Sequence, residues 1–436
     1  MMHQKRVLLQ VKTLRMCIFA CHLLFIVAFG VTEVWSAQMI KIGMKDEPKT
    51  LNIWLARDRW SLRVLSQIYQ PLYYRDPKTL ESIPWLAESQ PKFDPAELSY
   101  TVTLRPAKWS DGTAITSGDV AFTGALIKEF KVPRRYSYWK FIKKMETPDD
   151  RTVKFYLKRP MAVFLSRTLF TPIVQKKEWA GIVEKSRGAE KPLNTLIKHK
   201  IVTPVGSGPF AIKEWRQGAY LFLKKNEHFF GQGKKLAGHM LGPYIDGLIF
   251  KFYGTSDAAV LALKKGSIDM FWWGIEPGYL DDLKKEKDIR LITNERSALY
   301  YMGLNVRKPP FNDANLRRAI ATLIDKDFII TRILQGHGIK MDSIIPPGNR
   351  FYHCPDVPRY GDGLSREERI RKAHKILQQA GYTWKVPPVD TSGKVAKGQE
   401  IRLPDGKPMA WIRYPCAGSL MSSYWVTGGY PLIRTI

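Results

Sequence analysis

The chain repeatedly changes its apolar period, and residues that start or stop an element mark the changes. "LSYTVTL" (98–104) and "RTVKFYLK" (151–158) alternate apolar and polar residues, the two-residue period of strands with one buried face. Between them, Thr116 and Asp119 have the spacing of a capping box ahead of Val120, Phe122 and Leu126, so a helix opens there. Asp111-Gly112 supplies a turn just before it. The carboxylates Asp111 and Asp119 thus have structural work at hand. Such a chain mixes strands and helices closely along its length.

The same grammar recurs. Ile40 to Met44 reads as a short strand, and Ser61 to Tyr69 as a helix that ends before Pro71. Gly206, Ser207, Gly208 and Pro209 form a tight loop, followed by a hairpin of Phe210 to Trp215 and Ala219 to Lys224. No GK[ST] comes after these glycines, and the next element is a strand and not a helix N-terminus, so a phosphate cradle is disfavoured. A helix starting at Thr255 or Ser256 carries Val260 and Leu263 and stops at Gly266. The strand "IDMFWW" comes next, and its adjacent Trp272 and Trp273 point to opposite faces.

Asn305 to Pro310 reads as an extended strand leading into a linker, because Pro309-Pro310 excludes helix. Asp313 then caps a helix with Leu316, Ala319, Ile320 and Leu323 on one face, and Asp325 caps another that ends at Gly336. Ser365 and Glu368 form a second capping box, with Ile370, Ala373, Leu377 and Ala380 making a stripe closed by Gly381.

At 436 residues and 44% hydrophobic, the chain has material for a large core in two or three lobes. Its start is different: Lys5, Arg6, Lys12 and Arg15 precede the apolar run Met16 to Val31, and the small residues Ser36 and Ala37 come after it. That is the order of a secretory signal peptide, with cleavage near Ser36 or Ala37. An uncleaved anchor is the alternative, but the run is short of the roughly 20 apolar residues that span a bilayer. Cys21 comes directly after "IFA", where Phe19 suits lipidation badly. Cys17 and Cys21 leave with the signal. Cys354 and Cys416 remain, either paired in an oxidising compartment or as free thiols.

The signal carries a net three of the +29 formal charge, leaving +26 on the remainder. Lys and Arg are scattered in ones and twos, as in "IKKM" and "DLKKEK", without zinc-finger spacing or an RNA-binding aromatic signature. A solvated basic surface is expected, one that favours anionic ligands or the anionic envelope surface over nucleic acid. HExxH, GxSxG and GxxxxGK[ST] are all missing. His353 beside Cys354 has no second pair at ligand spacing, so neither a metal nor a cofactor is expected.

Five blocks in order, "LRPAKWSDGTAITSGDVAF", "GSGPFAIKEW…LKKNEHFFG", "ALKKGSIDMFWW", "LNVRKPPFNDANLRRAIATLIDKDFIITRILQGHG" and "AHKILQQAGYTW", resemble the family 5 extracellular solute-binding proteins of ABC transporters. This is the oligopeptide, dipeptide and nickel-binding group. The resemblance runs from about Ile40 to about Trp411. It implies an α/β, two-lobed periplasmic-binding-protein fold of the class II or cluster C type, with an extra α+β subdomain in the first lobe. On that pattern 1–37 is the signal, 38–52 and 202–270 the first lobe's main sheet, 53–201 the added subdomain, and 271–436 a partial second lobe. The chain is expected to be truncated, with the acid that would hold a ligand's amine beyond Ile436.

The implied function is capture of peptides in an interlobe cleft and delivery to an ABC transporter permease, by a periplasmic monomer without catalysis. Ligand contacts are expected from Thr50, Leu51, Asn52 and Trp54 after the first strand, from Ser207 and Gly208 in the glycine loop, and from Trp272 or Trp273. Core packing is the competing role for each aromatic. The alternatives are a nickel or haem carrier of the same fold, an exported hydrolase of cell-wall peptides or glycans, and a basic envelope protein binding anionic polymers.

Overall fold

Strand β1 (Met39–Met44) runs into a buried loop and then helix α1 (Arg59–Ile68). Asp58 caps α1 by accepting from the Ser61 N–H at 2.8 Å, and Val64, Leu65 and Ile68 turn inward. The computed structural model describes residues 37–409 except 77, 78, 80, 237, 272–274, 293–298, 348, 350 and 351. These fall into two compact units divided between positions 274 and 275.

Within the first unit, β2 (Lys92–Asp94), β3 (Ser99–Thr103), β4 (Ile142–Asp149) and β5 (Thr152–Leu157) make an antiparallel sheet ordered β2-β3-β5-β4. The two alternating runs pair with each other, Tyr100 opposite Phe155 and Val102 opposite Val153. Helix α2 (Ser117–Glu129) and the single turn α3 (Tyr136–Trp139) separate β3 from β4 in the chain. The α2 capping acid Asp119 is 6% exposed and accepts from the Thr116 N–H, the Trp109 indole and the Lys176 N–H. Asp111 accepts from Thr113 and Gln175, and those bonds hold its carboxyl below the usual range against the opposing effect of burial. Both acids are structural.

Helices α4 (Lys176–Arg187) and α5 (Pro192–Lys198) lead to the hairpin β6 (Phe210–Arg216) and β7 (Tyr220–Lys225). Strand β8 (Gly247–Phe252), helix α6 (Ser256–Lys264) and strand β9 (Met270–Phe271) complete the unit. The 5-stranded sheet is ordered β9-β1-β8-β7-β6, with β1 parallel to both neighbours. Gly266 takes a φ of +65°, the left-handed conformation that ends α6 without a Cβ penalty. Phe271 pairs with Gly43, so this sheet extends across the 270/271 boundary expected from the sequence. One hydrophobic cluster joins Ile42 and Phe250 of this sheet to Val102 and Phe155 of the other.

The second unit contains α7 (Ala314–Leu323) and α8 (Arg366–Gln379), capped by Asp313 and by Ser365 with Glu368. Leu316 and Ala319 pack with Ala373, Leu377 and Tyr382, and the Tyr382 hydroxyl donates to Asp313 at 2.7 Å. Strands β10 (Thr383–Val386) and β11 (Gln399–Arg402) form a hairpin beside them. The extended strand expected over Asn305 to Pro310 is corrected to a turn. Asn305 accepts the Arg307 N–H with its side chain and the Lys308 N–H with its carbonyl, which curls the backbone away from a ladder. Cys354 is a free, exposed thiol, and Cys416 lies outside the described residues. Among the described residues no helix is long and apolar enough to cross a membrane.

Candidate ligand-binding site

The loop leaving the carboxyl end of β1 is held by its own polar side chains. Ser61 Oγ accepts the N–H groups of Lys49 and Thr50 at 2.9 and 3.2 Å, and Thr50 Oγ1 accepts the Asn52 N–H at 3.0 Å. Asn52 is 0% exposed. Its amide donates to the carbonyls of Leu196 and His199, while its Oδ1 accepts the Trp54 N–H. Leu51 and Trp54 are buried as well, leaving Thr50 as the half-buried member of the set. Asn52→Ala removes three hydrogen bonds at a site water does not reach, and is expected to cost about 2 kcal/mol in urea unfolding. Unchanged stability would show that the loop is not held through Asn52.

Ser207 and Gly208 belong to a second braced loop. The Gly206 N–H donates to Ser110 Oγ, the Gly206 carbonyl accepts the Ser110 N–H, and the Gly208 N–H donates to the Ile68 carbonyl at 2.7 Å. Asn226 Nδ2 closes the loop on the Gly208 carbonyl. A Cβ on Gly208 would stand 2.1 Å from the Gln67 carbonyl oxygen, so the glycine permits backbone to lie against backbone. With the N–H groups of Gly206 and Gly208 both engaged, no phosphate cradle is formed.

The two loops meet opposite ends of α1. Thr50 touches Ser61 and Gly208 touches Ile68, seven residues and roughly 10 Å of helix apart. Between them stands the start of α4. Trp54 packs edge-on against Trp179, with ring centroids 5.9 Å apart, which makes it a core contact. Glu178 Oε1 accepts the Val205 N–H at 3.0 Å, but Oε2 is buried without a hydrogen-bond partner. The Tyr69 hydroxyl and the indole nitrogens of Trp54 and Trp179 are also buried and unpartnered, as is Ser207 Oγ. Trp179 stands beside both Tyr69 and Glu178, near enough to favour their ionised forms, without closing a hydrogen bond to either.

Burial dominates the electrostatics here. It pushes the Glu178 carboxyl up to about 7 and the Tyr69 phenol well above its ordinary 10, with the Asp111 charge adding to the first shift and Glu178 to the second. Sequence reasoning misses this trio. Glu178 lies in the first turn of α4, where helix polarity favours a charge, and nothing local marks it for burial. Trp272 and Trp273 lie outside the described residues. No group of three potential metal-ligating side chains occurs among the described residues.

Residues 81–397, which reach across both compact units, match the bacterial extracellular solute-binding proteins, family 5 Middle. The chain belongs to this family of solute-binding proteins. Among curated relatives, the oligopeptide-binding protein AppA of Bacillus subtilis (strain 168) is 29% identical over 358 residues, 81% of this chain and 60% of that protein. The dipeptide-binding protein of Escherichia coli (strain K12) is 28% identical over 327 residues, 70% of this chain and 56% of that protein. The solved structure of Bacillus subtilis AppA with a nonapeptide superposes with a TM-score of 0.64 at 26% identity, covering 85% of this chain and 68% of that one. A periplasmic oligopeptide-binding protein of Thermotoga maritima gives 0.65 at 25% identity, covering 86% and 66%. This family member therefore has the α/β fold of the two-lobed periplasmic binding proteins, and it spans 60% and 56% of the lengths of those two curated relatives.

Proposed function

We propose that this exported solute-binding protein captures peptides and passes them to the permease of an ABC transporter. The observation that carries the reading is the family match across 81–397, together with relatives at 28–29% identity that are named for peptide binding. The topology is consistent with it: Thr50 to Trp54 leave the carboxyl end of β1, a strand parallel to both neighbours, and open α/β sheets receive ligands outside such strand ends. Thr50 is assigned a ligand contact. Leu51, Asn52, Trp54 and Gly208 act by holding the two loops, Ser207 is buried in the second of them, and Trp272 or Trp273 is proposed as a further ligand contact.

In this reading 38–52 and 202–270, with Phe271 added through its pairing to Gly43, form the first lobe's main sheet, 53–201 its added subdomain and the chain beyond it the second lobe, with the signal removed near Ser36 or Ala37. The protein works as a periplasmic monomer without catalysis. Ligand side chains meet hydrated pockets, so sequence selectivity is broad.

Native mass spectrometry of the exported protein mixed with a defined peptide library tests this. Peptide adducts that disappear on denaturation, with the peptides recovered intact, are expected. No adduct and no thermal shift with any peptide would overturn peptide capture, and cleaved peptides would replace it with hydrolysis.

A further inference from the structure

The first unit carries its positive charge unevenly. Residues 130–145 and 151–177 contain thirteen Lys and Arg and no Asp or Glu. Four of these cations find carboxylates: Lys144 with Glu146, Arg151 with Glu88, Lys154 with Glu97 and Lys177 with Asp111. Lys131, Arg134, Lys140, Lys143, Lys158 and Arg159 are exposed, and no carboxylate within ion-pair distance of any of them is found among the described residues.

Three of these gather at Phe141, just after α3: Lys140 Nζ stands 5.0 Å and the Arg159 guanidinium carbon 4.7 Å from its ring centroid, and the Lys158 N–H donates to its carbonyl. Lys128 donates to the next carbonyl, that of Ile142, at 2.9 Å. Burial, assisted by the nearby Lys158 charge, depresses its pKa. Lys131 and Arg134 flank Val132, whose carbonyl accepts from Tyr136 at the start of α3.

The backbone adds an independent sign. Lys131 and Arg134 have φ of 50° and 66°, a left-handed conformation that costs an L-residue roughly 1–2 kcal/mol and that Gly would adopt freely. Like charges crowded without acids, on strained backbone, do not stabilise the fold. Such an arrangement is more readily explained by an external anion.

We infer that this group of cations docks on the phosphate headgroups of an anionic membrane leaflet. Long Lys and Arg side chains around a half-buried aromatic ring suit a bilayer interface, where the ring sits at headgroup level and the cations reach phosphates. Nucleic acid fits less well, because the Phe141 ring is already engaged by two cations and no further ring among the described residues is stacked on it to form a base platform. The inference does not depend on which solute the protein binds.

The test is co-sedimentation of the exported protein, from Gln38 onward, with phosphatidylcholine vesicles, with and without phosphatidylglycerol, at low and high salt. Binding should require phosphatidylglycerol and fall away at high salt. A quadruple variant, Lys140→Gln, Lys143→Gln, Lys158→Gln and Arg159→Gln, should bind on the order of a hundredfold more weakly. A control removing four exposed lysines of the second unit, Lys285→Gln, Lys287→Gln, Lys394→Gln and Lys397→Gln, should bind as the parent does. Far-UV circular dichroism checks folding. If the patch variant misfolds, the pair Lys143→Gln and Lys158→Gln should still weaken binding roughly tenfold or more. Equal loss in patch and control variants, equal binding to neutral vesicles, or single-stranded DNA binding in place of vesicle binding would each overturn the inference.

Discussion

Gly206→Ala is expected to destabilise the first unit by about 3 kcal/mol. A Cβ at this position would lie 2.1 Å from the Ile68 carbonyl oxygen, 2.5 Å from its Cγ2 and 2.8 Å from its carbonyl carbon. Two of these are backbone atoms at the end of α1, so no rotamer change relieves the overlap. Moving that backbone would also strain the Gly208 N–H bond to the same carbonyl oxygen, and with it the seating of the 206–209 loop. Gly181→Ala in α4 is the matched control. Its Cβ meets nothing within 4 Å, and in a helix the change should stabilise by up to about 1 kcal/mol. Urea unfolding of both variants measures the difference. A Gly206→Ala protein as stable as its parent would mean that the loop does not press on α1.

The second large effect is a fall in stability with rising pH that depends on Glu178. Its carboxyl ionises near 4.5 when solvated and near 7 when folded, so between those values the folded state holds a proton that the unfolded state has released. Stability from this group is fully present below about pH 4.5, declines as pH rises toward 7, and is lost above it. At roughly 1.4 kcal/mol per pH unit the total is about 3 kcal/mol. Glu178→Gln keeps an acceptor for the Val205 N–H and cannot ionise. Urea midpoints at pH 5 and pH 8 should therefore differ by less in Glu178→Gln than in the parent, and the gap between the two proteins isolates this group from every other titration. Parallel pH profiles would sink the assignment. The physical basis is that Oε2 is buried without a hydrogen-bond partner, while the Asp111 charge further opposes ionisation of the carboxyl.

Much of the local structure is legible because it is written in short-range chemistry. The capping acids Asp119, Asp313 and Asp325, and the Ser365 with Glu368 box, are where their spacing places them. The period-two runs are strands and pair with each other. The turn at Asn305 escapes a sequence reading because Pro309-Pro310 excludes helix without selecting strand, while the Asn side chain competes locally for backbone donors. The site is less legible. Asn52 and Trp54 suit ligand contacts by their place after a strand, yet Asn52 binds carbonyls 144 and 147 positions away and Trp54 packs on Trp179. No local pattern encodes partners at that separation.

The amino-acid sequence by itself determined most of the element types, their caps, the family and the excess of cations, since each depends on short blocks of residues or on composition. Only the tertiary structure decided that Glu178 is buried beside Tyr69 and Trp179, that the glycine loop presses on α1, and that Lys140 and Arg159 converge on Phe141. Burial and charge proximity are set by which distant segments the core brings together, and a carboxyl's pKa follows that desolvation and not its sequence neighbours.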